Sequence, residues 1–479
     1  MSLRRIVFAH EWRQLLRQRW LPGALLIFLL AGLLSIGTGY RDIRIRNIQV
    51  DSIRQTSLRD FQSVASKLAD TSTEQAKKDA ASAGMAVMVN FRLPQTAIKV
   101  PEPLGPLALG IADIQPWHYV VKYVKDYQPK EDVPVNNPMS LLAGGFDLAF
   151  VIVFILPLLV SVFCFSVFSA EKDAGTLPML IVQAGDMHRI IRLKFIFRFL
   201  LLASCVLVLD VSAFVIIIPV SGFSLKAALT WTLVSLLYLL FWTGIAYLLV
   251  SFKRNAAVTG LYLVGAWLLL LILIPSAFNT YVQSRYPVPM RDEIASYRRE
   301  QGEKIWATSP RVLSDSFNRI YPEYLSSANP AKDTLKLSTR YVAGYYALLS
   351  ARMERKMLPL QQLIDQRNHR FGELSRWNPA LSTQKLFSSL AGNDLGSYTQ
   401  FKQQVNMYQA QWQSALYAFH IPDIRLSLAD LNKLPEFTYQ PVAVAGGEIA
   451  AYMAVMIVLT FILLLFAEIR FTKDRLVYR

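Results

Sequence analysis

From position 148 to 168 the chain reads LAFVIVFILPLLVSVFCFSVF, without one charged residue. Such a run matches the hydrocarbon thickness of a bilayer as a helix, a structure that pairs its own backbone groups where no water is available. Five more runs share that character, at about 21–39, 195–220, 227–252, 258–278 and 449–466. Between them lie two long stretches too polar to enter lipid, 40–145 and 279–445. With 479 residues, 53% of them hydrophobic, and mean hydropathy +0.31, the chain is too apolar for an ordinary soluble enzyme and too polar to lie wholly in a membrane. The expected fold is a mainly α, polytopic membrane protein with six transmembrane helices and two long, mostly helical periplasmic inserts. Its layout is 1–20 amphipathic helix, 21–39 first span, 40–145 first insert, 146–278 spans two to five, 279–445 second insert, 446–468 sixth span and 469–479 tail.

The second span breaks abruptly into EKDAGTLPMLIVQAGDMHRIIRLK, beginning at Glu171. Gly175 can close the incoming helix in a left-handed conformation, and Thr176 can cap a new one. Pro178 is tolerated in a first helical turn, where its missing N–H would be unbonded anyway. Ala184 and Gly185 then stop this short helix, and Asp186 can cap the next span. Residues 171–185 therefore read as a compact helical corner at the membrane face, suited to being pushed by a partner protein.

Residues 1–20 read as an amphipathic helix. Phe8, Trp12, Leu15, Leu16 and Trp20 recur at helical spacing, while Arg5, Arg13 and Arg17 take another face. Such a helix lies in the membrane interface with its arginines toward anionic headgroups of the membrane lipid. A cleaved secretory signal fits less well: the leading region is long, carries Glu11 and two tryptophans, and no small-residue cleavage site follows.

Basic residues gather beside the span ends. Arg4, Arg5, Arg13, Arg17 and Arg19 precede the first span, and Lys172, Arg189, Arg192, Lys194 and Arg198 fill the second-to-third connection. Lys253 and Arg254 follow the fourth span, and Arg470, Lys473, Arg475 and Arg479 the sixth. With six spans all four sets fall on one side, which the positive-inside rule makes the cytoplasm. Both termini are then cytoplasmic and both inserts outside; in a bacterium with two membranes this is an inner-membrane, multi-pass protein with periplasmic inserts. Much of the net charge of +16 is accounted for this way. No basic stripe with interleaved aromatics suggests nucleic acid. Cys164 and Cys205 each lie in an apolar run, so neither insert can hold a disulfide.

In the first insert, Val50, Ile53, Phe61, Val64, Ala65 and Leu68 predict a long helix rising straight out of the first span. The Pro- and Gly-rich stretch 91–110 predicts irregular chain or short strands, and His118, among Trp117, Tyr119 and Tyr123, reads as packed. In the second insert, Val342, Tyr345, Leu349, Met353, Met357, Leu360 and Ile364 form an apolar stripe that Pro359 should kink or interrupt. Residues 398–419 predict a further helix. Within the spans, Pro157 and Pro219 require neighbours to satisfy the carbonyls they free. Asp210 is the one acid deep in a span; it either lines a translocation route or hydrogen-bonds at a helix interface. The aromatic residues of the fourth span, Trp242 among them, either contact an apolar cargo or pack.

No G-x-x-x-x-G-K-S/T, H-E-x-x-H, paired Cys/His spacing or G-x-S-x-G occurs. No catalytic residue, metal site or cofactor is expected on this chain, and any ATP must be held elsewhere.

Glu171, Gly175, Thr176 and Leu177 stand as E-x-x-x-G-T-L directly after a span. This resembles the signature of ABC-2-type transporter permeases, the membrane halves of a class of ABC exporters. The run N-P-x-x-L-L-x-G-x-F-D-L-A-F at 137–150, LALGIADIQP at 107–116 and NPALSTQKLFSSLAGNDL at 378–395 resemble the subgroup with a large domain of unknown function outside the membrane. The resemblance implies that residues 1–20 are a connecting helix touching an ABC ATPase subunit, with Glu11 and Arg17 its polar positions. It implies that Glu171, Gly175, Thr176, Leu177, Pro178 and Met179 form the ATPase-coupling corner. ATP and Mg would sit on that partner, and a second permease copy or paralogue would complete a homo- or heterodimer. Two functions then fit: export of a small or lipid-like cargo, or mechanical transmission to a periplasmic or outer-membrane partner without translocation.

Overall fold

The computed structural model describes residues 3–112, 114–123, 145–175, 187–287, 291–324, 333–441 and 443–473. Helix α1 (Leu3–Arg17) leads into α2 (Trp20–Ala69), which is the first span and its continuation in one 50-residue rod, about 75 Å long at 1.5 Å per residue. The apolar period past Tyr40 meets no breaker, so the helix carries on into the first insert. There α3 (Glu74–Ala83), α4 (Ala86–Arg92) and an antiparallel pair, β1 (Gln95–Ile98) and β2 (His118–Val121), surround its far half. The Pro- and Gly-rich stretch thus does yield a short strand, closed by the histidine-bearing one.

The second span is α5 (Leu148–Asp173), the third α6 (Met187–Ser221), the fourth α7 (Leu225–Val250) and the fifth α8 (Ala256–Arg285). The second insert holds α9 (Arg291–Trp306), α10 (Pro310–Ile320), α11 (Asp333–Ser375), α12 (Pro379–Leu390) and α13 (Leu395–His420). The sixth span, α14 (Gly446–Lys473), follows. Among the described residues six helices are long and apolar enough to cross a membrane. Helix α11 runs unbroken through Pro359, where an interruption was expected. Leu349, Met353 and Leu360 stay buried on the same stripe, so packing holds the axis across the single missing N–H.

Two cores result. One fills the span bundle, around Phe28, Leu156, Leu209, Trp231 and Met456. The other lies in the inserts, where Val64 of α2 meets Phe401, Tyr408, Trp412 and Leu416 of α13 and Val89 of α4. The first insert and the second therefore fold as one body around the end of the first-span rod.

The second and fifth spans each contain one π turn, Val151–Ile155 and Leu269–Leu273, just ahead of Pro157 and Pro275. The carbonyl of Val153, whose regular partner would be residue 157, instead accepts from the Tyr238 hydroxyl of the fourth span at 3.0 Å. Helix α12 belongs to the second insert by sequence but to the bundle by packing. Ala380, Leu386 and Phe387 are part of the span core, and the helix touches the second, fourth, fifth and sixth spans.

Candidate coupling junctions

The face of α1 that turns inward is Val7, Glu11 and Leu15, one residue per turn, while Trp12, Leu16 and Trp20 stay exposed. Of the apolar stripe read from sequence, Leu15 packs inward and Trp12, Leu16 and Trp20 face outward. A carboxylate takes the centre of the buried face because two cations of the third span are waiting for it. Glu11 is 3% exposed. Its Oε2 accepts from Arg198 Nε at 2.9 Å and lies 2.9 Å from Nη2, and its Oε1 lies 3.0 Å from Lys194 Nζ. Lys194 also bonds Glu171, the first residue of the corner motif, and Arg198 also donates to the Phe163 carbonyl of the second span. Burial pushes the Glu11 carboxyl up, but the Arg198 and Lys194 charges outweigh it and hold it below the ordinary carboxylate range.

One buried cluster thus ties three elements at the basic end: α1, the end of the second span and the start of the third. Lys194 and Arg198, read from sequence as orientation signals, are internal partners. The signal was present: two cations four residues apart in an apolar helix, and an acid at the middle of an i, i+4, i+8 face.

Gly175 closes α5 at φ +66°, the left-handed conformation expected of it, with its N–H donating to Lys172 O at 3.1 Å. Among the described residues no heavy atom lies within 4 Å of where a Cβ would stand, and the positive φ is itself the requirement for glycine. Arg17 is exposed at the end of α1. Thr176, Leu177, Pro178 and Met179 lie outside the described residues.

A second clasp at the same end joins the third, fourth and sixth spans. His188 Nε2 lies 2.7 Å from Tyr247 Oη and 2.8 Å from Glu468 Oε2, and the tyrosine donates to Glu468 Oε1 at 3.1 Å. Sequence reasoning missed it, since the three residues are far apart in the chain.

At the insert end the motif pieces 107–116, 147–150 and 378–395 meet. Asp147 caps the second span through Phe150 N at 2.7 Å and accepts from Leu109 N, also at 2.7 Å. Asn393 donates to the carbonyls of Gly105 and Ala108 at 3.1 and 2.8 Å, and its own carbonyl accepts from Ile111 N. Gly39 of the first span passes so close to Pro106 that a Cβ would lie 1.9 Å from its carbonyl oxygen. Asn47 and Ser221 add bonds between the first-span rod, the third span and residue 103. Lys99 reaches into this knot and donates to Gly392 O at 2.5 Å; burial pushes its ammonium down and the nearby Glu102 carboxyl up.

Asp210 and Trp242 lie inside the span bundle. Both are buried, at 0% and 1% exposure, and Asp210 Oδ1 accepts from Trp231 Nε1 at 3.1 Å across the third and fourth spans. Trp231 in turn packs on Phe387 of α12, ring centres 4.1 Å apart. The Asp210–Trp231 contact is the hydrogen bond at a helix interface that the sequence reading set beside a pathway role for Asp210. Among the described residues no cluster of three or more metal-ligating side chains occurs.

A six-span bundle with charged groups clasped at one end and two co-folded inserts packed on the other defines a mainly α, polytopic membrane protein. A family model described as ABC-2 family transporter protein matches residues 5–476. The chain belongs to that family. No curated protein and no solved structure matches it.

Proposed function

We propose that this chain is the permease subunit of an ATP-driven exporter in a bacterial inner membrane, with its basic end in the cytoplasm and its inserts in the periplasm. A separate ABC ATPase, carrying ATP and Mg, presses on residues 171–185 and on α1; a second permease copy or paralogue completes the assembly. The observation that carries this reading is the Glu11–Lys194–Arg198–Glu171 cluster. It fastens both surfaces offered to an ATPase onto the third span, so that a push on either is delivered to the same helix. The bundle arrangement preferred by the ATP-bound partner then gains population. The cargo is a small or lipid-like molecule.

A second reading keeps the ATPase and replaces transport by leverage on a periplasmic or outer-membrane partner. The unbroken α2 rod favours it, because displacement of the first span reaches the insert core without a joint. Reconstitution of the chain with its ATPase in sealed vesicles tests both. Loss of ATP-dependent cargo movement together with loss of hydrolysis in Glu11→Gln supports export. Hydrolysis that moves the inserts, with no lipid or solute crossing, supports leverage. Hydrolysis indifferent to Glu11 contradicts both.

A further inference from the structure

Helix α12 reaches deep into the bundle, and the residue that seats it is Asn378, which is 1% exposed. The amide works at both ends. Oδ1 accepts from Ala380 N and Leu381 N at 2.9 and 3.2 Å, capping α12, while Nδ2 donates to the Leu270 carbonyl of the fifth span at 2.7 Å. Leu270 lies 14 positions past the start of α8, about 21 Å along it, well inside a hydrocarbon core about 30 Å thick. Its carbonyl needs an outside donor because α8 makes a π turn there: Ile274 N, its regular partner, bonds Leu269 O instead. Serine or aspartate would cap α12 equally well, so capping alone does not ask for an amide.

We infer that Asn378 is a positioning residue, a latch that holds α12 in the bundle by supplying the hydrogen bond the π turn has given up. Leu270 O has two satisfied arrangements. In one, the π turn stands and Asn378 is the donor. In the other, the turn is a regular α turn, Ile274 N is the donor and α12 is released. Each arrangement gives Leu270 O one bond, but the second sets Leu271 O opposite Pro275, which has no N–H to give it, so the latched arrangement is the resting one of a candidate two-state element. Regularising the turn also rotates the rest of α8 by about 100°, the angle of one helical residue. That far part of α8 packs on α11, so release of α12 and movement of the second insert are one event. The direction of drive rests on the permease reading; the latch itself does not.

The test uses the full chain with its ATPase in lipid nanodiscs, Cys164 and Cys205 replaced by alanine, and spin labels at Leu261→Cys on the fifth span and Lys385→Cys on α12. Asn378→Asp and Asn378→Ser both keep the cap; the carboxylate has no donor, and the shorter serine side chain draws its hydroxyl back from Leu270 O. Without nucleotide, the parent should give one main distance and each variant a second population at least several-fold larger than the parent's. Thermal midpoints should stay close to the parent's, as expected when the cap is retained. Should the aspartate charge prevent assembly, the serine variant decides. Variants whose nucleotide-free distances match the parent overturn the latch, whatever the ATPase does. If the variants shift but a non-hydrolysable ATP analogue leaves the parent distribution unchanged, the latch stands and the proposed ATP drive fails.

Discussion

Replacing Glu11 by glutamine removes the one negative charge that α1 presents to the third span while leaving its shape. Arg198 and Lys194 then share one neutral amide oxygen in place of a carboxylate, besides the Phe163 carbonyl and Glu171 that each already has. Breaking a buried pair by removing one partner costs about 3–5 kcal/mol. The other buried anchors of α1 are Val7 and Leu15, each contributing about 1.5–3 kcal/mol. The variant therefore loses close to half of what seats a 15-residue helix, a length too short to hold its structure well alone. The loss should appear as local release of α1, not as unfolding of the bundle. Hydrogen exchange of the backbone amides from Leu3 to Arg17 should quicken by about a hundredfold or more, since each 1.4 kcal/mol is about tenfold. A double-mutant cycle with Arg198→Gln should return a coupling above about 1.5 kcal/mol. Exchange within about threefold of the parent, or a coupling below about 0.5 kcal/mol, would mean the pair behaves like an exposed one and carries no force.

Three other outcomes follow from the same geometry. Gly175→Val places a β-branched residue at φ +66°, a strain of about 1–2 kcal/mol confined to the corner, so assembly should survive while ATP hydrolysis loses its link to activity; unchanged coupling in reconstituted vesicles refutes this. Asp147→Ala removes the cap of the second span, about 0.5–2 kcal/mol, and strands the buried Leu109 N–H, about 1–3 more, so its thermal midpoint should fall below that of Asp147→Asn, which keeps an acceptor. Burial pushes His420, packed against Tyr123 and Tyr417, down to about 4 from its usual 6.5, with Asp423 opposing. The insert body should therefore be fully stable above pH 6.5 and lose stability as pH falls through about 4, and His420→Gln should flatten that decline in limited proteolysis across this range.

The spans, the long rod and the helical stripes of the second insert were legible because each is a local period: apolar length for the bilayer, three-and-four spacing for the inserts. Gly175 was legible for the same reason, since its corner is decided by neighbours in the chain. The junctions were not. Glu11 could be marked as an unusual acid, but its partners sit on a different helix, and Lys194 and Arg198 look in sequence like any basic flank. Asp210 could be marked as costly; only packing shows that Trp231 answers it from the next helix. Asn378 stood in a motif whose reason was invisible. The carbonyl it serves is left unpaired by the π turn just ahead of Pro275; that proline marks a break in the span's hydrogen bonding, but which residue supplies the missing donor is settled only by packing.

Site-specific photo-crosslinking from Met179, in cells expressing the full chain, tests the central claim most directly. The account predicts a crosslink to a nucleotide-hydrolysing protein, and a cysteine at the same position shielded from membrane-impermeant reagent added outside. Labelling from outside, or crosslinks only to lipid and to this chain, would contradict it.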